Sequence, residues 1–122
     1  VIGVDSEKSA IDDASANEML NHKPNIDFWA MDAKGAKKRL ADDGKKVDVI
    51  VVDPPRKGLS AEVIADILEI APQRLIYVSC DPATLARDIA LLKEQYDVKV
   101  IQPVDMFPQT VHVETIVLMS RV

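Results

Sequence analysis

Arg74-Leu75-Ile76-Tyr77-Val78-Ser79-Cys80-Asp81-Pro82-Ala83-Thr84 is an apolar run that breaks off at a cysteine, an acid and a proline. Its first six residues suit a strand buried in a sheet. Asp81 then suits a helix N-cap, and Pro82 the first helical position, where the missing N–H of proline costs nothing. Behind them Leu85, Ile89 and Leu92 recur at the spacing of one helical face. Upstream, Ser60 is placed to cap a helix carrying Val63, Ile64, Ile67, Leu68 and Ala71 and ending at Pro72. Working outward, apolar β-branched runs at 1–5, 26–31, 47–52, 98–104 and 114–120 read as further strands. Asp32 can cap a short helix with Ala33, Ala36 and Leu40, stopped by Asp43-Gly44. Ser6 can cap a helix reaching about Leu20, with Ala10, Ile11, Ala14 and Leu20 inward. Strand and helix therefore alternate, which predicts an α/β fold built from right-handed βαβ units. The expected form is one layered unit, a mostly parallel sheet with helices on both faces.

Composition narrows the class. The 122 residues suffice for one domain, and 48% hydrophobic with 29% charged is ordinary for a globular chain. No apolar run nears the roughly 20 residues that span a bilayer, so no membrane partner is expected. The single cysteine excludes an internal disulfide framework and a multi-cysteine metal site, and suits a reducing, cytoplasmic setting. The net charge of −5 argues against tight RNA binding by this acidic chain alone, because affinity for nucleic acid comes largely from neutralising phosphates. Basic clusters at Lys34, Lys37, Lys38 and Arg39, at Lys45 and Lys46, and at Arg56 and Lys57 read as solvated faces.

In open α/β sheets ligands bind beyond the carboxyl ends of the strands. The residues there are Asp5, Asp32, Asp53-Pro54-Pro55-Arg56, Cys80-Asp81-Pro82 and Asp105-Met106-Phe107-Pro108. Asp5 can accept the two hydroxyls of a ribose or can serve the helix behind it, and Asp32 has the same two uses. Cys80 is either a small apolar core residue or a thiol at the positive end of a helix dipole, where the nucleophilic thiolate is favoured. Asp81 opposes that thiolate unless its carboxylate is occupied in capping. Glu114, beside an apolar strand, is a base or an exposed strand-end carboxylate. His112 is a ligand, a general acid or a polar loop residue.

Three stretches taken together resemble one family. Asp53-Pro54-Pro55-Arg56-Lys57-Gly58 resembles its D-P-P-R-x-G element, and Leu75 through Thr84 its nucleophile motif. Asp105-Met106-Phe107-Pro108-Gln109-Thr110-Val111-His112-Val113-Glu114 resembles D-x-F-P-x-T-x-H-x-E. The chain is thereby similar to RNA uracil-5-methyltransferases acting on transfer RNA and large-subunit ribosomal RNA. The resemblance implies a Rossmann-like methyltransferase fold whose last strand, 114–120, runs antiparallel. It implies S-adenosylmethionine as cofactor, no metal in this chain, and RNA as partner of the full-length enzyme.

It also implies roles. Cys80 would add to C6 of uracil and Glu114 would remove the C5 proton. Asp53 would bond the uracil edge and belong also to the cofactor site. Asp5 would hold the cofactor ribose, Asp32 the adenine amino group, and Arg56 a phosphate or the local structure. Asp81 departs from the Asn usual after the nucleophile; both cap helices.

The family's glycine-rich cofactor loop and first strand have no counterpart, since no G-x-G occurs. Residues 1–122 are thus expected to be part of a catalytic domain, with any RNA-binding barrel or iron–sulfur cysteines lying before Val1. The absent strand would separate strands 1–5 and 47–52. An open slot is unfavourable, so 1–5 is expected to close on 47–52, accept another chain or be displaced, with weak cofactor binding in each case. A Cys–His acyl-transfer enzyme using Cys80 and His112 is a second reading, and an inactive folded chain a third.

Overall fold

The computed structural model describes all 122 residues, which form two compact units, 1–46 and 47–122. In the first unit β1 (Ile2–Asp5) and β2 (Asp27–Ala30) pair in parallel, with Asp5 opposite Ala30. Parallel neighbours need a crossover, supplied by α1 (Lys8–Leu20); α2 (Ala33–Asp42) follows β2. Trp29 and Ala36 are buried here. The Arg39 guanidinium lies 4.1 Å and the Lys45 ammonium 5.5 Å from the Trp29 ring centroid. Part of the basic cluster thus shields an aromatic ring, a favourable cation–π arrangement.

Asp32 caps α2 as expected, accepting from Gly35 N at 2.7 Å. The start of α1 corrects the reading of Ser6. The N-cap is Glu7, with no side-chain cap bond, and the Asp5 carboxylate accepts from Glu7 N at 2.8 Å. A carboxylate is the stronger acceptor, and Asp5 stands two residues earlier, where it forms a tight turn. Ala10 and Leu20 are also exposed; only Ile11 and Ala14 of the expected inner set are half-buried.

The second unit contains β3 (Val49–Val52), α3 (Ala61–Ile70), β4 (Arg74–Ser79), α4 (Pro82–Leu92), β5 (Tyr96–Val104) and β6 (Glu114–Arg121). Its sheet order is β3-β4-β6-β5. β3 and β4 are parallel, and β6 is antiparallel to both neighbours, as expected for the last strand. The strands therefore fall into two sheets, with β1 and β3 in different ones. Direct closure of 1–5 onto 47–52 is not the arrangement.

Strand alternation fixes the core. Leu75, Tyr77 and Ser79 stand opposite Met119, Val117 and Thr115, and all six are buried. Ile64 and Ile67 of α3 and Leu85 and Leu92 of α4 belong to the same cluster. On the opposite face of this unit's sheet Val49, Val51 and Ile116 are exposed, Val51 to 63%. β5 forms an edge, with a bulge between Val98 and Val100 and Pro103 farther along. No helix is long and apolar enough to cross a membrane.

The connection from β3 to α3 is tied down from α4. Asp88, fully buried, accepts from Leu59 N at 2.8 Å, Tyr77 Oη at 2.7 Å and Arg87 Nε at 2.8 Å. Arg87 Nη2 donates to Lys57 O at 2.9 Å, and Thr84 Oγ1 to Arg56 O at 2.8 Å. Gly58 closes a turn through its N–H to Pro55 O at 2.9 Å, with φ of 75°. A Cβ there would sit 2.5 Å from Asp88 Oδ2 and 2.7 Å from Arg87 Nη2. Glycine is required by both conformation and space.

The α3 and α4 caps follow the sequence. Ser60 accepts from Val63 N at 3.3 Å, and Asp81 Oδ1 accepts from Ala83 N at 2.9 Å and Thr84 N at 3.0 Å. The Thr84 N–H holds the Asp81 carboxyl below its usual value of 3.8; desolvation opposes this, and the Ala83 N–H reinforces it.

Gly58→Ala is expected to destabilise the chain by roughly 2–4 kcal/mol in a urea titration, from left-handed backbone strain plus overpacking. An unchanged midpoint would remove the clash argument. Because the folded pKa of Asp81 is depressed, its stabilisation is present above the unfolded pKa and lost as pH falls through the folded one. The stability gap between wild type and Asp81→Ala should be constant between about pH 5 and 7 and shrink below about pH 4. A gap that widens on acidification contradicts the cap assignment.

Candidate active site

In the second unit the carboxyl ends of β3 and β4 and the start of β6 share one rim. Ser79 is paired with Thr115 in the antiparallel β4–β6 ladder. One step beyond that pair stand Cys80 and Glu114, each the next residue toward the rim. The ladder's last pair thus puts the thiol and the carboxylate on the same rim of the sheet. Glu114 is also held from its other side, paired with Val104 of β5. Asp53 is the first residue after β3, whose last residue Val52 pairs with Tyr77 of β4. Asp53, Cys80 and Glu114 are thus brought to one rim by three adjacent strands.

Cys80 is half-buried and free, neither sealed in the core nor fully solvated. It directly precedes the N-cap of α4, so the first N–H groups of that helix lie beside it. The Asp81 carboxylate, the feature that opposed a thiolate, is occupied by Ala83 N and Thr84 N. Ser79 Oγ accepts from Asp81 N at 3.1 Å and donates to Asp81 O at 2.9 Å, which fixes the backbone on either side of Cys80. The cysteine is therefore held at a defined place, next to the N-cap of α4.

Arg56 meets His112 across the rim, its Nη2 lying 2.9 Å from His112 Nε2. A guanidinium has no acceptor, so Arg56 donates and Nε2 of a neutral His112 accepts. His112 is thus a partner of Arg56, with its Nε2 committed, which leaves a Cys–His acyl-transfer arrangement without a free imidazole base. The loop carrying His112 is also self-bonded: Thr110 N and Thr110 Oγ1 each donate to Phe107 O at 2.9 Å. No group of three or more His, Cys, Asp and Glu side chains is arranged to hold a metal ion.

In the first unit Asp5 and Asp32 stand at the carboxyl ends of two adjacent parallel strands, β1 and β2. Asp5 gives one oxygen to Glu7 N and Asp32 one oxygen to Gly35 N. Each carboxylate has a second oxygen, so capping and ligand binding are compatible uses.

Sequence reasoning missed the residues that anchor the D-P-P-R loop: Thr84, Arg87, Asp88 and Tyr77. A signal existed. Asp88 falls on the same helical stripe as Leu85 and Leu92, and an acid on a buried face needs donors. Burial, then the hydrogen bond and charge of Asp88, push the Tyr77 hydroxyl far above its usual value, which keeps it a donor to Asp88.

The whole chain, residues 1–122, matches the family model described as tRNA (Uracil-5-)-methyltransferase. An uncharacterized RNA methyltransferase of Enterococcus faecalis is 48% identical over 122 residues, covering 99% of this chain and 27% of that protein. One of Bacillus cereus is 46% identical over 123 residues, again spanning 27% of its length. The chain thus spans about a quarter of the length of these relatives. Among solved structures, the Pyrococcus abyssi tRNA (uracil-54, C5)-methyltransferase in complex with S-adenosyl-L-homocysteine superposes with a TM-score of 0.79 at 32% identity. That match covers 98% of this chain and 28% of the archaeal one. An rRNA methylase from Streptococcus thermophilus, at 17% identity and a TM-score of 0.70, shares the fold; the match covers 100% of this chain and 73% of that one. Its three motifs and the match along its entire length place this chain in the tRNA (uracil-5-)-methyltransferase family.

Proposed function

We propose that this chain supplies the reacting residues of an enzyme that methylates C5 of a uridine in RNA through a covalent cysteine adduct. The observation that supports the reading is the β4–β6 ladder ending at Ser79 and Thr115, with Cys80 and Glu114 the next residues at that rim. C5 of uracil is a poor carbon nucleophile. Addition of the Cys80 thiolate to C6 moves the C5–C6 π electrons to C5, conjugated with the C4 carbonyl, and makes C5 nucleophilic. When bound, S-adenosylmethionine supplies the methyl group as an electrophilic carbon on a sulfonium. The Glu114 carboxylate then takes the C5 proton, the C5–C6 double bond re-forms, and Cys80 leaves as thiolate. Asp53 hydrogen-bonds the uracil edge, and Arg56 contacts the RNA backbone while holding His112.

The donor set suits the cofactor. Carboxylates at the ends of adjacent parallel strands fit a ribose diol and an exocyclic amine, and Asp5 and Asp32 occupy such ends. Asp5 is assigned to the ribose and Asp32 to the adenine amino group. Because the chain spans about a quarter of its relatives, the rest of the RNA site and of the cofactor site is assigned to the remainder of a longer protein. The 122 residues alone are expected to be inactive. The single cysteine suits a reducing, cytoplasmic setting.

In the full-length protein, Cys80→Ala should abolish both methyl transfer and the denaturation-resistant complex with RNA containing 5-fluorouracil, whose fluorine cannot leave as a proton. Glu114→Gln should slow turnover roughly 10²–10⁴-fold and accumulate the complex on ordinary RNA. A complex that survives in Cys80→Ala overturns the nucleophile assignment. Calorimetric titration of the 122-residue chain with S-adenosylmethionine should show no binding below about millimolar, the regime of a few kcal/mol. Micromolar binding would show that the residues present suffice.

A further inference from the structure

The loop between β5 and β6 departs from ordinary surface composition. Met106, Phe107 and Val111 are exposed to 60%, 55% and 91%, on a short connection at the rim that also holds Cys80 and Glu114. The loop is not loose. Phe107 O accepts both from Thr110 N and from Thr110 Oγ1, His112 N donates to Thr110 Oγ1 at 3.2 Å, and Met106 N donates to Val104 O at 3.2 Å. Arg56 fastens its far end through His112, and Lys57 follows Arg56 on the exposed turn. A preorganised aromatic and aliphatic tip is therefore tied through His112 to the Arg56 guanidinium, with Lys57 next in sequence, in a chain of net charge −5.

Apolar contact area next to isolated positive charge matches one ligand chemistry well. Single-stranded nucleic acid presents an unstacked base face and a phosphate within one nucleotide, and proteins bind it by aromatic stacking combined with cationic backbone contacts. A protein partner would also accept the apolar tip, but would gain little from cations placed around it. We propose that Phe107, flanked by Met106 and Val111, is a stacking platform for an RNA base adjacent to the target uridine, with Arg56 and Lys57 taking the neighbouring phosphate. An enzyme that reacts at C5 and C6 of a base must first remove that base from its stack. A platform that receives the neighbour offsets part of the lost stacking. This inference rests on the RNA-methyltransferase reading and adds to it a substrate-binding surface.

The test uses the full-length protein and an RNA hairpin carrying the target uridine, with binding followed by fluorescence anisotropy and the covalent step by adduct yield with 5-fluorouracil RNA. Phe107→Ala should raise the RNA dissociation constant about 5- to 100-fold, the range for loss of one base–aromatic stack. S-adenosylmethionine affinity should be unchanged, and adduct yield at saturating RNA largely kept. Phe107→Trp should restore RNA affinity, because any aromatic face can stack. Equal RNA affinity in wild type and Phe107→Ala overturns the platform while leaving the methyltransferase reading intact. Loss of affinity in the Ala and Trp variants alike, or parallel loss of cofactor binding, assigns Phe107 to loop structure and overturns it too. A change of oligomeric state with unaltered RNA affinity gives the tip to a protein contact and likewise overturns the platform. Failure of the wild-type protein to form any adduct is the separate result that removes the underlying reading.

Discussion

A single buried carboxylate organises the reactive end of the second unit. Asp88 has no exposed surface, and a carboxyl group so buried needs hydrogen-bond partners. It finds them in the Tyr77 hydroxyl, the Leu59 amide and the Arg87 guanidinium, which come from β4, from the loop after β3 and from its own helix. Leaving one of these groups unpaired would cost about 1–3 kcal/mol, so the three elements are bound to a common geometry. The loop that begins at Asp53 cannot shift without breaking that set, and neither can Arg56, whose carbonyl is held by Thr84. Placement of the rim residues is thus settled from beneath, by polar groups that touch no reacting atom.

The second constraint is ladder register. Side chains in a strand alternate faces, so a slip of one residue would turn the core outward. The pairing of Tyr77 with Val117 and Leu75 with Met119 is enforced by burial of all four. Cys80 and Glu114 inherit their neighbourhood from that hydrophobic match several residues away. The position of the strand ends is an extension of core packing.

Much of this could be read from the chain itself, and the reasons are local. Asp32, Ser60 and Asp81 cap helices because a short polar side chain before an apolar period has few other uses. Pro72 and Pro82 mark an end and a start by geometry alone. What escaped reading was long-range or competitive. Ser6 lost to Asp5 because two acceptors stood within reach of one helix start, and propensity does not rank them. The contact of Arg56 with His112 joins residues 56 positions apart, beyond any periodicity. Asp88 lies on the buried stripe of its helix, but its three donors come together only once β4 and the loop are in place. The break between the two sheets falls between 1–5 and 47–52, where the family resemblance, and not the alternating pattern, had placed a further strand.

The two edges of the four-stranded sheet differ in how they meet other chains. β5 carries a bulge at Lys99 and a proline at position 103, which interrupt its outward hydrogen-bonding row with a charge, a kink and a missing N–H. β3 has none of these: it is Val49-Ile50-Val51-Val52, with Val49 and Val51 exposed. Short, flat and β-branched, it is a template for adding a strand. A charge placed at Val51 would oppose such pairing.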